Sequence, residues 1–218
     1  MLTGQFHLPI FYDLAATVIF AATGAITAAR KRYDFIGVLV LSLSAGLGGA
    51  LLRDGVFLNT GPLAILQDGR YLLAVLGGAA IGMFFARYLQ RLSLAISVID
   101  GLGLGIYAVV GAQKSLQAGL GILAATLVGT VNAVGGGLVR DVLVREEPML
   151  FRPSEFYAIA SIIGAWLFAV FASKLHVDAQ EAAWGSIAIT FGVRMLSLRL
   201  GWRTTPVEYT QDSEEKKP

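Results

Sequence analysis

The chain has 218 residues, of which 56% are hydrophobic and only 15% charged, and its formal net charge is +2. Soluble domains average about 45–50% apolar and about 25% charged residues. A single soluble domain of this size could not bury so much apolar surface, so lipid is the simpler solvent for it. The chain contains no cysteine, which excludes disulfides, thiolate metal sites and a cysteine nucleophile. The scattered basic residues form no patch, so we expect no nucleic-acid partner.

The apolar segments predict an all-α membrane protein with seven transmembrane helices, because a spanning helix needs about 20 largely apolar residues. Residues 1–202 are expected to form a single transmembrane domain. The polar residues 203–218 are expected to form a disordered cytoplasmic tail. The N-terminus lacks the basic segment and cleavage site of a signal peptide, so we expect the first span to be retained. In chain order, the predicted spans are 12–29, 35–58, 71–89, 97–116, 120–144, 156–173 and 184–200.

The distribution of Lys and Arg predicts the orientation of the spans, because positively charged loops stay on the cytoplasmic side. With the N-terminus outside, most of the 17 Lys and Arg residues fall on the inner side. These include the cluster of Arg30, Lys31 and Arg32 after the first span. We therefore expect an external N-terminus and a cytoplasmic C-terminus.

An internal repeat connects the two halves of the chain. A shift of 87 residues aligns residues 13–54 with residues 100–141 without a gap, and residues 48–54 match 135–141 most closely. We place the first repeat at about 11–92, the second at about 97–175, and a seventh helix outside the repeat at about 183–200. Because each repeat has three spans, the second copy enters the membrane from the opposite side, which predicts an inverted repeat of the kind found in many secondary transporters.

Each repeat carries glycines followed by an Arg-Asp pair in its second helix. Consecutive glycines weaken a helix and allow kinks and close backbone approach. A helix break at membrane depth is tolerated where it lines a wet cavity, and its free carbonyls could coordinate a cation. The predicted ion pathway comprises Ser44, Gly48, Gly49, Arg53, Asp54, Asn132, Gly135, Gly136, Gly137, Arg140 and Asp141.

Charged residues inside spans normally face the bundle interior and form pairs. The symmetric placement suggests crossed pairing, in which Arg53 and Arg140 each bind a carboxylate of the other repeat. A static ion pair between the repeats and a direct role in a pore remain open. Asp13 and Asp100 are predicted first as helix N-terminal caps. The alternative is that they pair with these arginines or form a pore mouth.

Five polar positions have two possible interpretations each. Lys114 is predicted first as a lysine that extends to the membrane interface, with regulation of the outer pore mouth as the alternative. Ser42 and Thr130 favour interhelical hydrogen bonds, whereas Ser44 and Asn132 favour contact with a permeating cation.

No cofactor, metal site or enzymatic activity is expected from the sequence. His7 and His176 are far apart and lack the spacing of metal ligands, and each is interpreted as a histidine at the membrane interface. The segment 101–105 alternates glycine and leucine but lacks a preceding strand and the dinucleotide-binding spacing. Permeant potassium or sodium ions are the only small partners predicted.

The two three-helix repeats, each with glycines and Arg-Asp in its second helix, together with a seventh helix, resemble the prokaryotic trimeric intracellular cation channels. The resemblance covers about residues 12–200. It implies a homotrimer in the plasma membrane, with a pore in each protomer that conducts monovalent cations passively, mainly potassium and also sodium. The kinked second and fifth helices would line that pore. Ala50 stands where the second repeat has Gly137, so the two kinks are expected to differ.

Three functional hypotheses follow. A channel is favoured and predicts flux that rises linearly with driving force. A secondary transporter of a small solute such as glycine predicts saturable, ion-coupled uptake. A structural or lipid-binding protein predicts no flux, and tolerance of Arg53→Ala apart from stability.

Overall fold

The computed structural model of the chain describes residues 8–59, 63–89, 93–151, 156–175 and 177–205. Within these ranges the chain forms long helices joined by short connections, and a π-helical segment, Leu52–Leu58, continues the second helix. The helices are α1 (Phe11–Arg30), α2 (Phe35–Leu51), the short α3 (Ala64–Gln67), α4 (Arg70–Leu89), α5 (Ser93–Gln117), α6 (Ile122–Leu143), α7 (Tyr157–Ser173) and α8 (Ala179–Leu200).

The predicted all-α architecture with seven long helices is confirmed. The largest difference in bounds is in the last helix, which begins at Ala179 rather than Trp184. The predicted tail lies outside the described residues from position 206 onward, as do His7 and His176.

Several helices have the length and composition of membrane spans. Among the described residues, three meet both criteria: Phe11–Arg30, Phe35–Leu58 and Ile122–Leu143. Shorter apolar stretches occur at Arg70–Ala86 and Tyr157–Ser173. The helices α5 and α8 are of similar length but carry charged residues along them. Large apolar side chains cover the outside of the bundle, as expected of a surface in lipid; they include Phe35, Ile36, Leu73, Phe84, Leu123 and Trp166.

Local sequence signals account for where some helices begin and end. Asp34 precedes α2 and accepts a hydrogen bond of 2.7 Å from the amide of Gly37. Asp178 precedes α8 and accepts one of 2.8 Å from the amide of Gln180. The last helix ends at Gly201, whose φ of 66° lies in the left-handed region that favours glycine.

The bundle consists of two three-helix units and one additional helix. In the first unit α1 packs against α2 and α4, and in the second α5 packs against α6 and α7. The units meet where α1 contacts α5 and where α2 contacts α6. The remaining helix, α8, packs against α5 and α7. The core is rich in Ala and Val, which allows the helices to approach closely.

Contacts between the two units are reciprocal, as a two-fold relation requires. A Cβ at Gly49 would collide with the carbonyl oxygen of Asn132, and a Cβ at Gly136 would collide with that of Ala45. Position 136 is the repeat equivalent of 49, and 45 is the equivalent of 132. The equivalent rings of Phe20 and Tyr107 stack on each other, with centroids 5.2 Å apart and an angle of 8° between their planes.

Candidate functional site

The first charge cluster consists of Asp13, Arg53 and Asp54, all buried. The Arg53 guanidinium donates to both carboxylate oxygens of Asp54, at 2.6 and 2.8 Å, and its Nη1 lies 3.7 Å from Oδ1 of Asp13. The other oxygen of Asp13 accepts hydrogen bonds from the Tyr71 hydroxyl at 2.7 Å and the Lys114 ammonium at 2.9 Å. Two donors, from α4 and α5, and the charge of Arg53 in the π-helical segment therefore converge on one carboxylate of α1.

The second charge cluster consists of the repeat equivalents Asp100, Arg140 and Asp141, which are also buried. Nε and Nη2 of Arg140 lie 2.9 Å from Oδ1 of Asp141, and Nη1 lies 3.8 Å from Oδ1 of Asp100. Tyr157, the repeat equivalent of Tyr71, interacts electrostatically with the Asp100 carboxylate, as does Arg194. Neither oxygen of Asp100 accepts a hydrogen bond in the described part of the chain, which distinguishes it from Asp13.

The predicted crossed ion pairs are wrong. Each arginine binds the two carboxylates of its own unit, and the contacts that the two arginines make across the units involve neutral groups. Arg53 donates to Oδ1 of Asn132 at 3.3 Å, and Arg140 donates to the Thr23 hydroxyl at 3.0 Å. At the arginines the two units are therefore joined by hydrogen bonds, whereas Lys114 and Asp13 form an ion pair between the units at 2.9 Å.

The predicted capping role of Asp13 and Asp100 is also wrong. Helix α1 begins after Ile10 with no side-chain cap, and the Asp13 carboxylate is occupied by side chains of other helices. Helix α5 begins at Ser93, so Asp100 lies well inside it rather than at its end. The alternative, pairing with Arg53 and Arg140, describes their positions.

The glycine-rich segments do not interrupt their helices. Gly48 and Gly49 lie within α2, and Gly135, Gly136 and Gly137 lie within the unbroken α6. The π-helical segment, Leu52–Leu58, begins after these glycines. Among the described residues, the second unit has no equivalent segment. The predicted breaks at the glycines are therefore wrong. Instead, the glycines allow α2 and α6 to cross with their backbones in contact.

The polar candidates fall in different environments. Asn132 is fully buried, where its side-chain amide donates 2.7 Å to the Tyr107 carbonyl oxygen. Ser44 is partly exposed and donates to the carbonyl oxygen of Val40 in its own helix, so the structure does not bring it to the charge clusters. Thr130 similarly donates to the carbonyl oxygen of Thr126.

Lys114 lies at a cavity of about 230 Å³ that opens beside the first charge cluster. Its polar lining is Asp13, Tyr71, Gln113, Lys114 and Gln117, and the start of α1 supplies apolar walls. The Lys114 side chain is 28% exposed, whereas that of Asp13 is 5% exposed. The ammonium group therefore lies between the cavity and the buried carboxylate, which is a different position from that of a lysine extended to the interface.

Sequence reasoning missed Tyr71, Tyr157, Tyr107 and Arg194. The two acid-binding tyrosines are repeat equivalents at a shift of 86, and that symmetry is the signal that could have found them. The Tyr107 hydroxyl contacts the Thr17 hydroxyl at 2.9 Å and donates to the carbonyl oxygen of Gly46. Arg194 is a charge inside a predicted span, which is by itself a sign of function.

Comparison with known proteins agrees with this architecture. The family model described as "Glycine transporter" matches the chain twice, over residues 10–87 and 97–173, which are the two three-helix units. A UPF0126 membrane protein of Deinococcus radiodurans is 36% identical over 89% of each chain. The UPF0126 inner membrane protein YadS of Escherichia coli K12 is 33% identical over 88% of this chain and 92% of that protein.

A solved structure gives the same result at the level of the fold. The trimeric intracellular cation channel orthologue from Rhodobacter sphaeroides has a TM-score of 0.79 and 30% identity, with 88% of this chain and 98% of that chain covered. The chain belongs to the prokaryotic trimeric intracellular cation channel family. The predicted family is thus confirmed, and the chain is a membrane protein like its relatives. Within the family fold, the two charge clusters are the buried polar features of the crossing helices.

Proposed function

We propose that the protein is a homotrimeric channel through which monovalent cations, mainly potassium and also sodium, pass by passive conduction. Each protomer has its own pore, lined by α2 and α6, in the plasma membrane of a prokaryote. The trimeric cation channel that serves as structural neighbour supports this proposal. No resident cofactor takes part, because the permeant ion is the only small partner that conduction needs.

The observation that carries the proposal is the pair of buried charge clusters along the axis of the bundle. Lys114, at the first cluster, lies fourteen residues after Asp100 on α5. At about 1.5 Å per residue the clusters are about 21 Å apart along the helix. Charges at membrane depth are costly and mark ion pathways. The carboxylates favour a cation, and the arginines limit how many can bind at once.

Between the clusters, the glycines of α2 and α6 keep side chains out of the crossing. The carbonyl oxygens of Ala45 and Asn132 face these glycines, but they belong to unbroken helices, so a cation there would compete with the hydrogen bonds of the helices. Asn132 adds a side-chain oxygen that already accepts from Arg53. Ser44 lies on the partly exposed side of α2, so it would have to contact a permeating cation from that side.

The cavity beside Asp13 is the proposed external mouth. Lys114 binds Asp13 at the cavity's edge, so withdrawal of its ammonium would expose the carboxylate to an entering cation. Placement of this mouth outside follows the predicted orientation, with the N-terminus external and the C-terminus cytoplasmic. The ion pair of 2.7 Å between Lys31 and Glu146 agrees with the order of the spans, since it joins two loops on one side of the membrane, and the positively charged loops are what assign that side to the cytoplasm.

The experiment that tests the channel is single-channel recording of purified protein in planar bilayers with a potassium gradient. We expect discrete currents that reverse near the potassium potential. Asp54→Asn/Asp141→Asn removes one carboxylate from each cluster and should lower potassium conductance several-fold. The matched control is Asp68→Asn, which makes the same change at a loop residue that binds Arg70 at 2.6 Å, outside both clusters.

Two results would contradict the proposal. Folded, trimeric protein that leaves the bilayer silent would exclude a channel under these conditions. Currents that the paired Asp→Asn substitutions leave unchanged would exclude conduction past the clusters.

Transport of glycine is the second candidate, and one observation favours it besides the name of the family model. The cavity of about 230 Å³ presents a carboxylate and an ammonium group side by side, at Asp13 and Lys114, and a zwitterion carries the complementary charges. Saturable glycine uptake into proteoliposomes, lost in Asp13→Asn and in Lys114→Met, would support a transporter. Uptake that neither substitution changes would exclude this site.

A further inference from the structure

Arg194 is a fully buried charged residue in the one long described helix that lies outside the repeat. An uncompensated charge at membrane depth is costly, so charged residues in spans face the bundle interior and pair. The helix α8 therefore buries its arginine where compensation is available. The charged and aromatic groups around Arg194 show what provides it.

Arg194 lies beside the second charge cluster and interacts with the Asp100 carboxylate electrostatically, without a hydrogen bond to either of its oxygens. Its guanidinium carbon lies 5.3 Å from the centre of the Tyr157 ring, within cation–π range. A Cβ at Gly101 would lie 3.1 Å from Cγ of Arg194, so the glycine beside Asp100 makes room for the arginine stem.

Comparison of the two clusters gives Arg194 a counterpart. Asp13 receives a second cation from Lys114 of α5, and Asp100 receives a second cation from Arg194 of α8. Each cluster then contains two carboxylates and two cations, so each is neutral. The two additional cations differ in exposure, because the Lys114 side chain is 28% exposed and Arg194 is fully buried.

We propose that Arg194 sets the charge of the second cluster by neutralising Asp100, and thereby limits how strongly that end of the pathway attracts cations. The seventh helix thus supplies a positioning residue for ion conduction, in addition to packing against α5 and α7. This inference rests on the proposed channel function.

The test compares conductance at low and high potassium chloride. Arg194→Gln leaves the second cluster with a net negative charge, which should raise the single-channel conductance about twofold at low salt. The difference should shrink at high salt, because ions screen fixed charges within about 3 Å at 1 M ionic strength. Arg194→Lys keeps the charge and should restore the conductance of the original protein. The matched control, Arg199→Gln, removes the same charge from an exposed site on the same helix.

A second comparison separates charge compensation from helix packing. If Arg194 acts by neutralising Asp100, low-salt conductance should follow the net charge of the cluster: Asp100→Asn leaves one excess positive charge and should lower it, and Asp100→Asn/Arg194→Gln, which is neutral again, should return it towards that of the original protein. The pair Asp100→Asn/Arg194→Gln contains no unbalanced charge, so it provides folded protein if Arg194→Gln alone does not assemble.

Two results would overturn the inference. A double variant Asp100→Asn/Arg194→Gln that conducts no better than Asp100→Asn alone, or an effect of Arg194→Gln that does not depend on salt, would mean that Arg194 only holds the helix in place. If the original protein conducts and either of these results is found, the channel proposal still stands. An original protein that does not conduct would overturn both.

Discussion

At the scale of single residues, the buried carboxylate of Asp13 is held by side chains of several other helices at once. Asp13 accepts from Tyr71 and Lys114 and lies 3.7 Å from Arg53. Removing one partner of a buried pair is strongly destabilising, about 3–5 kcal/mol, because the other charge is left without compensation. The tyrosine donors matter here since they satisfy the carboxylate without adding charge.

Asp13→Asn tests the strength of this arrangement. We expect a loss of about 3 kcal/mol in the free energy of unfolding. This is the low end of the range for a buried pair, because Arg53 still forms its ion pair with Asp54. Thermal unfolding in detergent, followed by tryptophan fluorescence, measures the change. Asp68→Asn breaks the exposed pair with Arg70, which solvent screens, so it should change the free energy of unfolding far less. Equal shifts for both variants would show that the buried pair contributes no net stability.

The charged residues of the site could be predicted from the sequence, but their partners could not. Arg53 and Arg140 stand out because charges are rare in apolar spans. Neighbours at i and i+1 ordinarily point to different sides of a helix, so pairing of each arginine with the next residue was not expected. The long guanidinium side chain nevertheless folds back to the adjacent carboxylate. The pairing of each arginine with the adjacent carboxylate is seen only in the three-dimensional structure.

At the scale of helices, the contact between α2 and α6 depends on backbone atoms. Gly49 and Gly136 occupy reciprocal positions against the carbonyl oxygens of Asn132 and Ala45. Glycine costs a helix about 1 kcal/mol relative to Ala, and close packing offsets that cost here. Consecutive glycines in a sequence are compatible either with a kink or with a close helix crossing. Because the sequence does not distinguish the two, the predicted breaks were wrong.

Gly49→Ala and Gly136→Ala test the crossing. Each added methyl group would meet a backbone carbonyl that cannot rotate away, so the helices must separate. We expect each variant to lose about 1–3 kcal/mol of stability, as overpacked cores do, measured by thermal unfolding in detergent. Gly77→Ala is the matched control, because nothing lies within 4 Å of a Cβ there. The control should be neutral or gain up to about 1 kcal/mol. Equal stability of all three variants would contradict a backbone contact.

At the scale of the whole molecule, the repeat accounts for most of what the sequence could predict. The shift of 87 residues located both Arg-Asp pairs and the three-helix units, and the family model matches those units separately. The departures from symmetry were not predictable, since they depend on which helix lies beside each cluster. Lys114 comes from the second unit and Arg194 from the helix outside the repeat. The two ends of the molecule are therefore chemically different, and their sidedness matters for function.

Single-cysteine labelling tests that sidedness, because the natural chain contains no cysteine. Ala118 and Glu147 are exposed residues of the α5–α6 and α6–α7 connections, which follow opposite ends of α6. The positively charged loops place the second connection inside the cell. In intact cells, we expect a membrane-impermeant maleimide to label Ala118→Cys, and to label Glu147→Cys only after the membrane is opened. The reverse pattern would place the N-terminus inside, and the cavity at Lys114 would then face the cytoplasm. Equal labelling of both would mean that the chain inserts in both orientations.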